Sequence, residues 1–439
     1  MFSPPSLQKP IYISPFYNYI YYFSITLIYF KFGCCCSINS IFCKAICWES
    51  TCRKPLRISA ELPSLMSKYH IAVLPGDGVG NDVMEAAKIV LDTVNLDAEY
   101  IHGDIGWEFW KKEGNPLPDR TVDLLKECDC ALFGAITSKP NVEAQKELIP
   151  ELRNKGIVYS SAIVGLRQKL NLHTNLRPCK AYPGNPLNYR DDIDLVVFRE
   201  NTEGLYAGVE FRPLSKEVYN ALLTHKKMKK FEDTPLDDIA VSCRIFTRKA
   251  CQNIVRQAFE YAKEHNRKTV TLVEKPNVIR ETSGMMVEEA RKIAEEYPTI
   301  ELWETNVDAM CMWLIKNPQD YDVLVSSNMF GDIISDLAAQ IVGGLGFAAS
   351  GNIGDDFAVF EPTHGSAPKY AGQYKVNPIA MIRSVKLMLD WLGQKKQGEN
   401  LDIAIAHVIK EGKIKTYDMG GNNTSLEVAE EIAKKYKEL

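Results

Sequence analysis

Residues 69–94 read YHIAVLPGDGVGNDVMEAAKIVLDTV, and this stretch decides the fold class. An apolar run enters the glycine-rich turn Gly76-Asp77-Gly78-Val79-Gly80, and apolar residues at helical spacing follow. That is a buried strand, a tight turn and a helix. The turn invites a dinucleotide reading but does not fit one. GxGxxG needs its last glycine one position later, and no GxxxxGK[ST] occurs. Outward from this unit, CDCALFGAI reads as a second strand. DIDLVVFRE, the run from DIAVSCRIF to AFEYAKEHN, KTVTLVEKPNV, MMVEEARKIAEEY and YDVLVSSNMFGDIISDLAAQIVGGLG continue the alternation of strands and helices. The pattern predicts an α/β architecture with a substantial parallel sheet. SLEVAEEIAKKYKEL, at the end, reads as an exposed amphipathic helix.

The chain has 439 residues, enough for two or three domains and a large core. A net charge of −4 argues against nucleic acid or an anionic membrane as the main partner. The local basic run HKKMKK (225–230) reads as a solvated loop. Of the body cysteines, Cys128, Cys130, Cys179, Cys243, Cys251 and Cys311, none has zinc-site or CxxC spacing. They read as reduced thiols in a cytosol-like compartment.

The first 65 residues are a different text. Residues 10–30 carry no charge and are rich in Ile, Tyr and Phe, a length that could span a bilayer. Their prolines, tyrosines and serines make a poor spanning helix. A basic start and a clear cleavage site are missing, and Arg53 and Arg57 are the segment's only arginines. Met66 opens MSKYHIAVLPGDGVG like an ordinary start, so residues 1–65 read as an extension outside the folded domain. A targeting segment and a membrane anchor are the alternatives. The expected location is cytoplasmic, or mitochondrial or another organelle if the segment is a targeting signal.

Arg167, Arg177 and Arg199 sit in or beside apolar runs near one polar loop, and Tyr206 follows the last of them. Arginine forks grip carboxylates bidentately, and a tyrosine beside them can pass a proton. Asp332 and Asp336 share one helix face by their i,i+4 spacing, with apolar and small flanks that aim them into a cleft. Such a pair suits Mg²⁺ or Mn²⁺, and Asp308 is a third acid with similar flanks. Lys275 follows the strand TVTLVE, where it can act as acid or base or bridge to Glu274 or another acid. Residues 361–378, EPTHGSAPKYAGQYKVNP, contain no apolar run and read as a long polar ligand-carrying loop. Together these groups suggest chemistry on a small polycarboxylate.

Five motifs in order, PGDGVG, NLRP, RENTEGLYAG, GDIISDLAAQIVGGLG and THGSAPKYAG, resemble the β-decarboxylating dehydrogenases that act on isocitrate, 3-isopropylmalate, homoisocitrate, and tartrate or malate. The resemblance covers residues 69–439. It implies a two-domain isopropylmalate-dehydrogenase-like α/β fold with a cleft between the domains, not a Rossmann fold. The implied large nucleotide-binding domain is 66–172 plus 343–439. Residues 173–342 would form a second domain with substrate, metal and dimer contacts. The resemblance further implies a homodimer with shared active sites, the neighbouring subunit contributing Lys275 and Asp308. Arg167, Arg177 and Arg199 would hold substrate carboxylates, Asp332, Asp336 and Asp308 the Mg²⁺ or Mn²⁺, and Tyr206 and Lys275 would be the acid–base pair. The nucleotide would lie on Glu361, His364, Gly365, Ser366, Ala367, Lys369, Tyr370 and Asn377.

Within the family, RENTEGLYAG resembles isocitrate dehydrogenases, and Ser161 matches the serine those enzymes turn toward the extra carboxylate. Ile163 stands where they often carry asparagine, and with Val164 it leaves 3-isopropylmalate or homoisocitrate open. Lys369-Tyr370 resembles an NADP 2′-phosphate grip, and Tyr417 is kept, while Gly421 replaces an arginine; NADP is expected, with NAD the alternative. The expected reaction is metal-dependent oxidative decarboxylation of isocitrate to 2-oxoglutarate. A non-catalytic regulatory subunit of a hetero-oligomeric dehydrogenase is the competitor from another class.

Overall fold

The computed structural model describes residues 69–439, which fall within one compact unit running from Met66 to Leu439. The expectations for residues 1–65 lie outside the described residues. The first strands are β1 (Tyr69–Gly76), β2 (Ala98–His102) and β3 (Cys130–Ala135), interleaved with helices α1 (Val79–Val94), α2 (Trp107–Glu113) and α3 (Asp119–Lys126). Helices α4 (Asn141–Glu147) and α5 (Ala162–Lys169) precede strands β4 (Thr174–Lys180) and β5 (Asp194–Glu200). A small ribbon of β6 (Glu210–Phe211) and β7 (Val241–Ser242) flanks α6 (Lys216–Leu223). Then come α7 (Arg248–Glu264), β8 (Thr269–Glu274), α8 (Arg280–Ala294), β9 (Glu301–Asn306), α9 (Val307–Lys316), β10 (Val323–Ser326) and α10 (Asn328–Ile341). The chain ends with β11 (Ala349–Ile353), β12 (Ala358–Pro362), α11 (Ile379–Trp391), α12 (Lys395–Glu411) and α13 (Ser425–Lys437).

Ten of the strands form one sheet in the order β2-β1-β3-β12-β11-β4-β5-β10-β8-β9. The two wings pair in parallel, whereas β12, β11, β4 and β5 are mutually antiparallel in the middle. This mixed centre goes beyond the parallel sheet expected from the βα alternation. The chain builds one wing, crosses through β4 to the other, and returns through β11. Helices cover both faces, so the strands are apolar on both sides. On β1, Ile71 packs toward α1, α11 and α13 while Ala72 and Leu74 pack toward the other face. On β5, Val196 and Phe198 pack under α7, and Leu195 and Val197 under α10.

The Gly76–Gly80 turn is the tight strand-to-helix connection expected. Gly76 and Gly78 have φ of 74° and 55°, and a Cβ on Gly80 would lie 2.3 Å from the Pro75 carbonyl oxygen. Helix α13 is amphipathic as read, but Val428, Ala429 and Ile432 pack into the core, so only its outer face meets solvent. Glu361 and Pro362 belong to β12 and are buried, which corrects the reading of 361–378 as loop throughout. The body cysteines are free thiols, four of them buried. Among the described residues no helix is long and apolar enough to cross a membrane.

Candidate active site

Strand alternation places the polar groups. On β4, Asn175 and Arg177 face one side of the sheet, and on β5, Arg199 joins them beneath α10. Arg199 is 2% exposed. Its Nε and Nη2 both donate to Asn328 Oδ1, at 3.0 and 2.8 Å, and its Nη1 donates to Asp332. It also lies over the Tyr206 ring, 5.1 Å from the centroid. Arg177 donates to Ser335 at 2.7 Å and to Asp336 at 2.9 Å, and it lies 3.4 Å from Asp332. Arg167, buried on α5, donates to Asn352 Oδ1 at 2.9 Å and to Glu361 at 3.3 Å. Tyr206 donates its hydroxyl to the second oxygen of Asp332 at 2.8 Å.

The electrostatics follow from this crowding. Burial, then the facing guanidiniums of Arg177 and Arg167, pushes Arg199 down to about 10. Burial also lowers Arg167, against the pull of Glu361. Burial, and then donation to the Asp332 carboxylate, raises the Tyr206 phenol above its ordinary value, so it keeps its proton at neutral pH. Three buried guanidiniums next to one another repel, so an anion placed among them would be favoured.

The structure brings Arg167, Arg177, Arg199, Tyr206, Asp332 and Asp336 into one cluster. Asp336 is exposed rather than buried in a cleft, because its place on α10 faces outward. Lys275 and Asp308 are apart from that cluster and pair with each other at 2.5 Å. The acid neighbouring Lys275, Glu274, is taken by Arg244 instead. The Lys275 ammonium holds the Asp308 carboxyl below its usual range. Asp332 and Asp336 carry carboxylate oxygens of the kind Mg²⁺ or Mn²⁺ prefers, one helical turn apart, and here Asp332 accepts from Arg199 and Tyr206 and Asp336 from Arg177. Among the described residues no three His, Cys, Asp or Glu side chains converge as a metal-holding group.

Ser161 precedes the first residue of α5, and its hydroxyl makes no capping hydrogen bond. Beyond β12, a cavity of about 260 Å³ is lined by His364, Gly365, Ala367 and Asn377, together with Val79, Gly346, Val376, Tyr417 and Asp418. Asn377 is held by Asp418 at 3.0 Å. Burial lowers the His364 imidazole, and its Nε2 has no hydrogen-bond partner. Lys369 stands over the Tyr370 ring at 4.8 Å, and Tyr370 packs near Tyr417 with centroids 6.1 Å apart. Ser366 bonds the Thr137 hydroxyl at 2.7 Å, and its carbonyl accepts the Val79 N–H at 2.8 Å. Glu361 does not line this cavity; it pairs with Arg167 and accepts from Asn352 at 2.7 Å. Asn175, Asn328, Asn352 and Thr137 were not found in the sequence, since a lone polar residue in a strand or at a helix start carries no spacing signal.

The sequence model described as isocitrate/isopropylmalate dehydrogenase matches residues 70–434. The chain belongs to the isocitrate/isopropylmalate dehydrogenase family. It is 41% identical over 369 residues to the 3-isopropylmalate dehydrogenase of Methanothermobacter thermautotrophicus, covering 84% of this chain and 99% of that one. It is 39% identical over 364 residues to protein DlpA of Legionella pneumophila, covering 82% of this chain but spanning only 58% of that protein's length. The crystal structure of isocitrate dehydrogenase from Methylococcus capsulatus superposes with a TM-score of 0.73 at 36% identity, covering 84% of this chain and 99% of that one. Enzymes of the family are NAD(P)-dependent decarboxylating dehydrogenases that act on a CH–OH group and use Mg²⁺ or Mn²⁺, and this chain is one of them.

Proposed function

We propose that this family member oxidatively decarboxylates isocitrate to 2-oxoglutarate and CO₂, with reduction of NADP. The observation that carries the reading is a cluster of three buried arginines, in which Arg177 and Arg199 meet the carboxylate pair beside Tyr206 while Arg167 is held next to them by Asn352 and Glu361. Three guanidiniums suit a substrate with three carboxylates. The unused Ser161 hydroxyl, at the start of the helix that carries Arg167, supports the extra carboxylate of isocitrate.

The arginines bind and orient the carboxylates, and Lys275, once its ammonium has released a proton to solvent, takes the proton of the 2-hydroxyl as hydride leaves for the nicotinamide. Tyr206, kept neutral by burial, returns a proton to the enolate carbon after CO₂ departs. A divalent cation on Asp332 and Asp336 would polarise the hydroxyl oxygen and hold enolate charge. Lys275 and Asp308 reach this chemistry as a pair from a neighbouring copy, so the working unit is a homodimer with the domain division 66–172 plus 343–439 against 173–342. The Lys369, Tyr370 and Tyr417 group supports a 2′-phosphate on the nucleotide.

One observation favours a second reading. Val164 lies three residues before Arg167, on the same helix face; both it and Ile163 are half-buried, but Ile163 packs against the apolar cluster under α5. A half-open apolar side chain beside the anion receptor suits the isopropyl group of 3-isopropylmalate. The test is nicotinamide reduction with Mg²⁺, offering isocitrate, 3-isopropylmalate and homoisocitrate, each with NAD and NADP. Isocitrate turnover with NADP far above the others is the expected result. Preference for 3-isopropylmalate would give the pocket to Val164, and silence with all three would leave a regulatory subunit.

A further inference from the structure

Arg244 belongs to none of the motifs above. It lies between β7 and α7, and its side chain is 12% exposed. Nη1 donates to Thr282 Oγ1 at 2.7 Å and to Ser283 Oγ at 3.1 Å. Nη2 donates to Glu274 Oε2 at 3.0 Å and to Ser327 Oγ at 2.8 Å. The guanidinium is sandwiched by Phe246 and Phe330, 4.3 and 5.0 Å from their ring centroids. Its acid, Glu274, is 1% exposed and also accepts from Ser283 Oγ at 2.6 Å and from the Ser327 N–H at 3.0 Å. A carboxylate buried this deeply is costly unless a cation faces it.

These partners come from three elements. Glu274 ends β8 and is followed by Lys275, whose N–H also reaches Ser283 Oγ at 3.4 Å. Ser283 lies in the first turns of α8, and Ser327 precedes α10, where Asn328 grips Arg199. One planar fork therefore registers the peptide that carries Lys275 against the helix that carries Asp332 and Asp336.

We propose that Arg244 is a positioning residue for the reaction. Through Glu274 and Ser283 it fixes Lys275, and it touches neither substrate nor cofactor. The proposal rests on the reading of Lys275 as the proton-transfer group. Arg199 makes no contact with Arg244: Asn328 and Asp332 hold it directly, and α10 keeps its own packing against the sheet. Loss of Arg244 thus loosens the Lys275 peptide and leaves the carboxylate receptor in place. A lysine cannot replace it, because one ammonium does not make four directed bonds between two rings.

The test uses the full chain with Arg244→Ala, Arg244→Lys and Lys275→Met. A misplacement near 1 Å costs about 100-fold, so Arg244→Ala loses about that much kcat. KM for the hydroxy acid should change by less than about threefold, since the binding arginines are untouched. Millimolar guanidinium should restore kcat to Arg244→Ala, but not to Lys275→Met. Labelling of Lys275 by an amine reagent, located by peptide mass, should rise in Arg244→Ala and fall back with guanidinium. A raised KM with unchanged kcat would overturn the proposal. So would a kcat loss that follows thermal stability without a guanidinium response, or unaltered labelling. If the unsubstituted protein turns over none of the three hydroxy acids, the proposed function fails. The labelling then decides the role of Arg244 by itself.

Discussion

Gly331 is where stability and catalysis should separate. It sits in the first turn of α10 directly over Arg199, and a Cβ there would lie 2.7 Å from Arg199 Cγ, 2.8 Å from its Cβ and 3.2 Å from its Cα. The Cα cannot yield, because β5 is paired on both sides, by β4 and by β10. Gly331→Ala must therefore turn the Arg199 side chain away from Asn328 and Asp332. The alanine gains about 1 kcal/mol of helix propensity. Overpacking costs about 1–3 kcal/mol, so net stability changes by at most about 2 kcal/mol. The displaced guanidinium, by contrast, loses charge-assisted contacts worth about 1.5–3 kcal/mol to a substrate carboxylate, or about 10- to 100-fold in kcat/KM.

Gly284 is the control. It lies inside α8, and a Cβ there meets nothing within 4 Å. Gly284→Ala should raise stability by about 0.5–1 kcal/mol and leave kcat/KM unchanged. Melting curves and initial rates on both variants decide the matter. Wild-type kcat/KM in Gly331→Ala would refute the placement of Arg199 in the substrate site. Equal losses in the two variants would show that helix substitution as such, and not the contact with Arg199, is responsible.

Other outcomes follow from the same geometry. Lys275→Met should cost about 100- to 10,000-fold in kcat with substrate affinity nearly intact; a collapse of affinity would make Lys275 a carboxylate anchor. A chelator should stop turnover and Mg²⁺ restore it. Loss of a mere outer-shell partner already costs about 10- to 100-fold in metal affinity, so Asp336→Asn should raise the Mg²⁺ needed for half-maximal rate by at least that factor. Glu289, buried on α8, accepts from Lys292 at 2.8 Å, from Gln252 at 2.6 Å and from Arg248, and its carboxyl is held down to about 2, chiefly by Lys292. A carboxyl depressed in the folded state stabilises the protein above its unfolded value of about 4.3, and that contribution is lost as pH falls toward the folded value. Glu289→Gln should therefore lower the melting temperature at neutral pH, and the gap to wild type should narrow below a pH of about 4. A gap that is constant with pH would mean that packing, and not charge, makes the difference.

The sequence was most legible where periodicity and residue type coincide. The Asp332–Asp336 spacing places both acids on one helix, and the arginines at Arg177 and Arg199 stand on strands whose alternation aims them at α10. It was least legible where a contact joins distant segments. Glu361 read as part of a polar loop, yet it lies in β12 because its neighbours Val359 and Phe360 pair with β3, and the same strand aims it at Arg167. Lys275 offered a choice of acids, and Glu274 looked nearest in sequence. Alternation buries Glu274 among Arg244, Ser283 and Ser327 while Lys275 passes to Asp308, which no local pattern reports. Asp336 read as buried from the apolar and small flanks SSNMFG and LAAQIVGGLG, but the buried residues beside it, Ile334 and Ala338, point to the opposite side of the helix.

The location of the site follows from the one place where the sheet departs from its parallel pattern. At the antiparallel centre the chain passes from one wing to the other, and there an asparagine cluster takes the place of apolar packing. Asn352 on β11 accepts from Arg167 of the first wing, from Asn175 of β4 at 2.8 Å and from Asn201 beyond β5 at 3.0 Å, while donating to Glu361. A buried amide that bonds in so many directions costs stability if any partner is lost, so it enforces a single register among the strands that carry it. Apolar side chains on the same strands, Leu176, Val196, Ile353 and Phe360, face the other side and line a groove of about 450 Å³. The polar face thus holds Arg167 in fixed relation to Arg177 and Arg199 across the crossing point. The wings can then differ in loops and helices without altering the spacing of the three arginines.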